Sequence, residues 1–366
     1  MRPGPPPPAP SQQGAPMLID CHGHFTTAPP ALGRWREKQI RAFEDSGTRV
    51  SPDELTIGDD EIRTAVEQGQ LRLQNERGTD VTLFSPGAGK MAHHYGDART
   101  SLDWSHVAND LIARVCALFP GRFVGVCQLP QSPGADLETS VRHSVAELER
   151  CVTEFGFVGA LLNPDPSDGN WQAPPVTDKV YYPLYEKMVE LDVPAMLHVA
   201  MSRNPALQGT CAHYLAGDTA VFMQLCQSDL FRDFPGLRVV IPHGGGAVPY
   251  HWGRYRGVMQ DQGRPPLEEL VLNNVHFDTC VYHRRGMQLL TDVIPARNIL
   301  FASEMIGAVR GIDPETGNPF DDTKSILDSV TGLTDEDRRL IEHGNALRVF
   351  PRLKNHNLAN PEATNR

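Results

Sequence analysis

Eight short runs rich in apolar and β-branched residues recur along the chain, and longer stretches of helical periodicity separate them. A short apolar run bounded by turn residues suits a strand buried on both faces. Regular alternation of such runs with helical segments is the pattern of parallel strands wrapped by helices. The runs are residues 17–24, 81–86, 123–130, 157–164, 194–200, 238–244, 276–282 and 298–304. Between and after them the sequence predicts helices over 60–77, 104–119, 136–154, 182–191, 218–226, 248–259, 286–293 and 322–329, with two further pieces, 334–343 and 345–349, closing the unit. The count predicts an α/β fold, a (β/α)8 TIM barrel. An open doubly wound sheet is the competing arrangement, but no Gly-rich phosphate loop follows an early run.

A chain of 366 residues is long for one domain, yet barrels of this type reach that size as a single unit. The expected division is a flexible Pro-rich leader over 1–16, the barrel over 17–351 and a frayed polar tail over 352–366. The leader holds one Arg and no long apolar run, so it reads as neither a signal peptide nor a membrane anchor. A formal net charge of -11 argues against sequence-independent nucleic-acid binding, which draws on surplus Lys and Arg. It leaves room for a small anionic substrate held by local arginines. The seven cysteines are scattered and never spaced C-x-x-C, which points away from a disulfide framework and towards a reducing, cytoplasmic setting.

Barrels keep their chemistry at the C-terminal ends of the strands. The first run ends Asp20-Cys21-His22-Gly23-His24, and strict alternation places Asp20, His22 and His24 on one face, the interior. The fifth run ends in His198, the sixth in His243-Gly-Gly-Gly246 and the eighth in Glu304, each polar residue terminating an apolar run. A lone interior histidine is more often just hydrogen-bonded, but basic ligands arriving from separate strand ends make a stronger signal. The expected metal ligands are His22, His24, His198 and Glu304, a set suited to zinc and also acceptable to manganese or iron. His243 is expected to face the substrate, so that one metal position stays open; the plainer reading is a tight turn with a satisfied imidazole.

Those residues resemble the amidohydrolase superfamily, in the branch that includes aminocarboxymuconate semialdehyde decarboxylase, over nearly the whole of 17–351. Longer runs, at 163–166, 185–196, 242–254, 277–283 and 303–313, are similar to the 4-oxalomesaconate hydratases of the protocatechuate 4,5-cleavage route. The wider superfamily usually ends strand eight in Asp. The Glu304 of this chain is shared with the hydratase branch and carries its carboxylate one methylene further out.

The resemblance implies addition of water to a carbon-carbon double bond of a keto tricarboxylate, with Glu304 as base. It also implies Tyr214, on a loop after the fifth strand, as proton donor, and His243 is the second candidate. Arg254 and Arg310 are expected to clamp carboxylates and Asn163 to add a neutral donor. A homo-oligomer and no nucleic-acid or membrane partner complete the expectation. The rival readings are a decarboxylase or a carbon-carbon hydrolase of a related conjugated acid, and a metal-bound scaffold without activity. Structural zinc sites are usually closed and rich in Cys, unlike this set.

Overall fold

The computed structural model describes residues 17–87, 93, 95–133, 136–209, 211–307 and 309–358. Eight parallel strands follow one another around a single sheet: β1 (Ile19–His24), β2 (Val81–Ser85), β3 (Phe123–Gln128), β4 (Gly159–Leu162), β5 (Ala195–Leu197), β6 (Val239–Ile241), β7 (Val275–Asp278) and β8 (Ile299–Leu300). Each pairs in register with the next. Beyond the ladder, Cys21 N–H donates to the Phe301 carbonyl and Glu304 N–H to the His22 carbonyl, both at 2.9 Å, so β8 is tied back to β1 and the barrel is nearly closed.

All eight expected strands form, several of them shorter than their runs. The residues lost from the ladder are those that turn at the barrel mouth, and these carry His198, His243 and Glu304. Side chains separate into two shells. Ile19, Cys21, Val81, Leu83, Val124, Val126, Leu161, Met196, Val240 and Leu300 fill the barrel, while Phe84, Phe123, Cys127, Ala160, Leu162, Leu197, Ile241 and Phe277 belong to the larger cluster beneath the helices.

The far end of the barrel is plugged by Val349, Phe350 and Leu353, all buried with the inner cluster. Burial of each such side chain contributes roughly 1.5–3 kcal/mol. The expected frayed tail is therefore corrected over its first residues. Pro351–Asn355 forms a short helix with Leu353 fully buried. Residues 359–366, like the expected leader, lie outside the described residues.

Three of the helices that differ from expectation bear on the site and its surroundings. Pro30–Ser46 is a helix where none was expected, opened by Pro at its start and closed by Gly47 in the left-handed conformation. The segment expected as one helix over 60–77 breaks at Gly69, where a Cβ would stand 2.8 Å from the Ala65 carbonyl. The helix expected from residue 218 begins at Cys211. Gly217 lies inside it, where a Cβ would meet Val199 Cγ1 at 2.8 Å.

Candidate metal centre

Strict alternation does not deliver His22 and His24 to the interior; a bulge does. Ile19 pairs with Val81 and Asp20 with Thr82, then the register slips and Gly23 pairs with Phe84 and His24 with Ser85. Cys21 and His22 together oppose Leu83, so the inward and outward faces exchange within β1. The expectation that Asp20 shares a face with the two histidines is thereby corrected. Gly23 points outward, where a Cβ would lie 2.2 Å from Thr82 Cγ2. Asp20 instead accepts from His22 N–H, Ser303 N–H and the Ser303 hydroxyl, and so fastens the end of β1 to the turn that carries Glu304. Burial lifts its carboxyl to about 6 against the pull of those Ser303 and His22 bonds.

The imidazole nitrogens converge. His22 Nε2 lies 2.9 Å from His24 Nε2, which lies 3.3 Å from His198 Nε2. One donor atom from each of His22, His198, His243 and Glu304 falls within 4.8 Å of the others, and all four residues are buried. His243 thus joins the ligand-bearing group alongside His24.

The other ring nitrogen of every histidine meets an oxygen. His22 Nδ1 faces Asp278 Oδ2 at 2.8 Å, and His198 Nδ1 faces the Val199 carbonyl at 2.7 Å. His24 Nδ1 faces Ser85 Oγ at 2.7 Å, and His243 Nδ1 faces Asp218 Oδ2 at 3.0 Å. Ser85 Oγ itself donates to the Gly23 carbonyl, so towards His24 it accepts. Each Nδ1 therefore carries a proton, the four Nε2 atoms face a common centre, and the neutral rings of His24 and His198 turn lone pairs towards it. Burial, reinforced by the neighbouring rings, holds His24 and His198 well below the usual histidine range. Facing lone pairs beside a buried carboxylate repel one another unless a cation lies between them, and His243 Nε2 has no partner of its own. The donor set fits a divalent metal ion.

Two contributors were not singled out in the sequence. Asp278 ends β7, accepts from His22, and with its other oxygen accepts Gly244 N–H and Cys280 N–H. Its carboxyl is kept below the ordinary range: burial opposes this, but the His22 bond and charge outweigh it. The rule that found His198 and Glu304, a polar residue closing an apolar run, applies equally to Phe277-Asp278. Asp218 has no such signal, because only tertiary packing brings it to His243.

That packing rests on glycine. After β6, His243, Gly244, Gly245 and Gly246 all hold positive φ, and a Cβ at Gly246 would lie 2.5 Å from the Leu215 carbonyl. The turn lets helix Cys211–Gln227 approach, and Tyr214 and Asp218, one helical turn apart, face His243 together. The Tyr214 and His243 rings stack with centroids 5.4 Å apart. Tyr214 lies in the first turn of this helix and not on a loop as expected. Burial, helped by the negative charge of Glu304, pushes its phenol up, so it remains protonated. His243 rises to about 9: burial alone would lower it, but Asp218 and Glu304 prevail.

Glu304 occupies a strained turn, with φ 50° at Glu304 and 58° at Ile306. Asp321 Oδ2 accepts Ile306 N–H at 3.0 Å, and Arg77 grips Asp321 from behind. The carboxylate of Glu304 accepts from the Tyr282 hydroxyl at 3.0 Å and stands 3.8 Å from His243 Nε2.

The remaining expected residues are not drawn into this cluster. Asn163 is buried, but its side-chain oxygen accepts Asp165 N–H and shapes the loop after β4. Arg310 is exposed and binds the carbonyls of Ile306 and Gly307. Arg254 is exposed on helix Trp252–Asp261, and its guanidinium makes no hydrogen bond or ion pair among the described residues.

Residues 19–352 match the family model described as amidohydrolase. A 2-keto-4-carboxy-3-hexenedioate hydratase of Sphingobium sp. is 57% identical over 337 residues, covering 92% of this chain and 97% of that protein. A gamma-resorcylate decarboxylase of Rhizobium sp. is 30% identical, over 78% and 87% of the two chains. The crystal structure of 4-oxalomesaconate hydratase from Rhodopseudomonas palustris superposes with a TM-score of 0.85 at 53% identity, covering 93% of this chain and 97% of that one.

Proposed function

The chain belongs to the amidohydrolase family, and from that premise we propose that it is a metal-dependent hydro-lyase, a hydratase of 4-oxalomesaconate. The name 2-keto-4-carboxy-3-hexenedioate describes such a substrate: three carboxylates and a C3–C4 double bond conjugated with the C2 ketone. Water adds its hydroxyl to C4 and a proton goes to C3, giving 4-carboxy-4-hydroxy-2-oxoadipate. Negative charge develops towards the ketone oxygen as the new bond forms.

A divalent ion, zinc by its preference for imidazole and carboxylate, supplies electrophilic polarisation when bound by His22, His24, His198 and Glu304, with His243 close by. Glu304 takes the proton of the attacking water. Tyr214, buried and held protonated beside Glu304, gives a proton to C3, and the two groups exchange protons with solvent before the next turnover. His243 is fixed in orientation by Asp218 and supports charge on the substrate. Arg254, whose guanidinium makes no hydrogen bond or ion pair among the described residues, serves a substrate carboxylate, while Arg310 and Asn163 shape the loops they are bonded to. The seven free cysteines agree with a cytoplasmic setting.

The observation that carries the reading is a carboxylate just beyond strand eight set among four buried imidazoles, in a chain 57% identical to a hydratase over nearly its full length. The decarboxylase relative supports a second reading, loss of carbon dioxide from a related conjugated acid. Purified enzyme, 4-oxalomesaconate, the ultraviolet band of the conjugated system and a carbon dioxide trap separate the two. Loss of the band without gas is expected; stoichiometric gas release would overturn the hydratase.

A further inference from the structure

We propose that Tyr282 is a positioning residue for Glu304, holding its carboxylate in one rotamer at the metal centre. The inference rests on the reading of Glu304 as ligand and base, and adds to it a residue with no expected role.

Tyr282 lies just beyond β7, in a loop whose backbone turns left-handed at this residue, with φ 57°. Its hydroxyl oxygen stands 3.0 Å from Glu304 Oε2 and 3.0 Å from the Ser303 carbonyl. A phenol has one proton to give, and both acceptors belong to the turn that carries Glu304. Whichever it serves at a given instant, the ring is anchored to the Ser303-Glu304 segment. Among the described residues, Tyr282 is the side chain that donates a hydrogen bond to the Glu304 carboxylate. The other close group, His243 Nε2, is 3.8 Å from the same Oε2.

Glu304 needs such a partner more than an Asp would. Its side chain has one more rotatable bond, and each free rotor spreads the carboxylate over positions that do not suit the centre. The Asp321 carboxylate accepts Ile306 N–H and the Thr26 hydroxyl donates to the Ile306 carbonyl, two residues on, but these bonds leave the side-chain torsions of Glu304 unrestrained. Donation to Oε2 restrains them, and so holds the carboxylate in one rotamer beside His243. Towards a carboxylate oxygen, which can only accept, the phenol hydroxyl is the donor.

The test is a double-mutant cycle on metal affinity, with Zn2+ as the probe and a chromophoric chelator as competitor. The metal-free parent is compared with Tyr282→Phe, Glu304→Gln and the double variant, all checked for fold by near-ultraviolet circular dichroism. Tyr282→Phe keeps the ring and removes only the hydroxyl. It is expected to weaken Zn2+ binding about 10- to 100-fold, the range seen when partners of metal ligands are lost. In the Glu304→Gln background the same change is expected to have almost no further effect, because its route of action is gone. Unchanged affinity in Tyr282→Phe, or equal losses in both backgrounds, would overturn the proposal. In turnover, kcat is expected to fall with KM unchanged. Affinity is measured without substrate, so failure of the hydratase reading would leave the cycle interpretable.

Discussion

Asp278 Oδ2 lies 2.8 Å from His22 Nδ1, with the two side chains 0% and 1% exposed. One carboxylate thus sets the tautomer of the histidine at the barrel's first strand while its other oxygen gathers the backbone of Gly244 and Cys280. Replacing Asp278 with Asn removes the charge but not the volume. Metal affinity is expected to fall about 10- to 100-fold, as for other partners of metal-bound histidine. Chelator competition on the folded variant measures this, and parental affinity would strip Asp278 of the role.

Gly307 is the point at which Glu304 is most easily displaced. A Cβ there would stand 2.5 Å from the Glu304 carbonyl oxygen and 2.8 Å from its Cδ. Gly307 has no positive φ, so the obstacle to alanine is space and not backbone conformation. Gly307→Ala is expected to lower kcat at least about tenfold while the melting temperature moves little, since a small shift of a catalytic group is enough for such a loss. An unaltered kcat would mean that Glu304 tolerates displacement.

Arg254 and Arg310 are expected to separate in kinetics. Arg254 makes no hydrogen bond or ion pair among the described residues, so its removal by Arg254→Ala should act on substrate capture, raising KM about tenfold or more with kcat preserved. Arg310 binds Ile306 and Gly307, next to Glu304, and Arg310→Ala should depress kcat as well. Parental KM in Arg254→Ala would remove it from substrate binding.

His276 gives the protein an acid-sensitive element inside the barrel. It is fully buried at the start of β7, and burial, followed by the charge of Arg348, lowers its pKa from 6.5 to about 3. The unfolded chain gains a proton as pH drops below 6.5, whereas the folded chain does not until about 3. Stability is therefore lost as pH falls through this window, by about 1.4 kcal/mol per unit once the unfolded group is fully protonated. Between pH 7 and 5, urea unfolding of the parent is expected to lose about 2 kcal/mol more than that of His276→Gln. Equal losses would show that His276 ionises normally in the fold.

The strand count, the order of the elements and the His-x-His, His198, His243 and Glu304 positions were all legible in the chain. Each depends on local pattern: apolar runs of strand length, helices between them, and a polar residue closing a run. The inward facing of His22 and His24 was anticipated for a reason that does not hold, because a bulge, invisible to a pattern of period two, reverses the faces after Cys21. The helix expected over 218–226 extends back to Cys211, and so Tyr214, expected on a loop, lies within it.

By itself, then, the sequence determined the architecture and the kind of donor atoms, since these follow from periodicity and residue chemistry along one strand at a time. Tertiary structure alone decided how those donors are oriented. Asp218 reaches the site from a helix, and Asp278 and Tyr282 from β7 and the loop after it, to residues distant in sequence, and the hydrogen bonds that fix tautomers and carboxylate rotamers exist only once the barrel is packed.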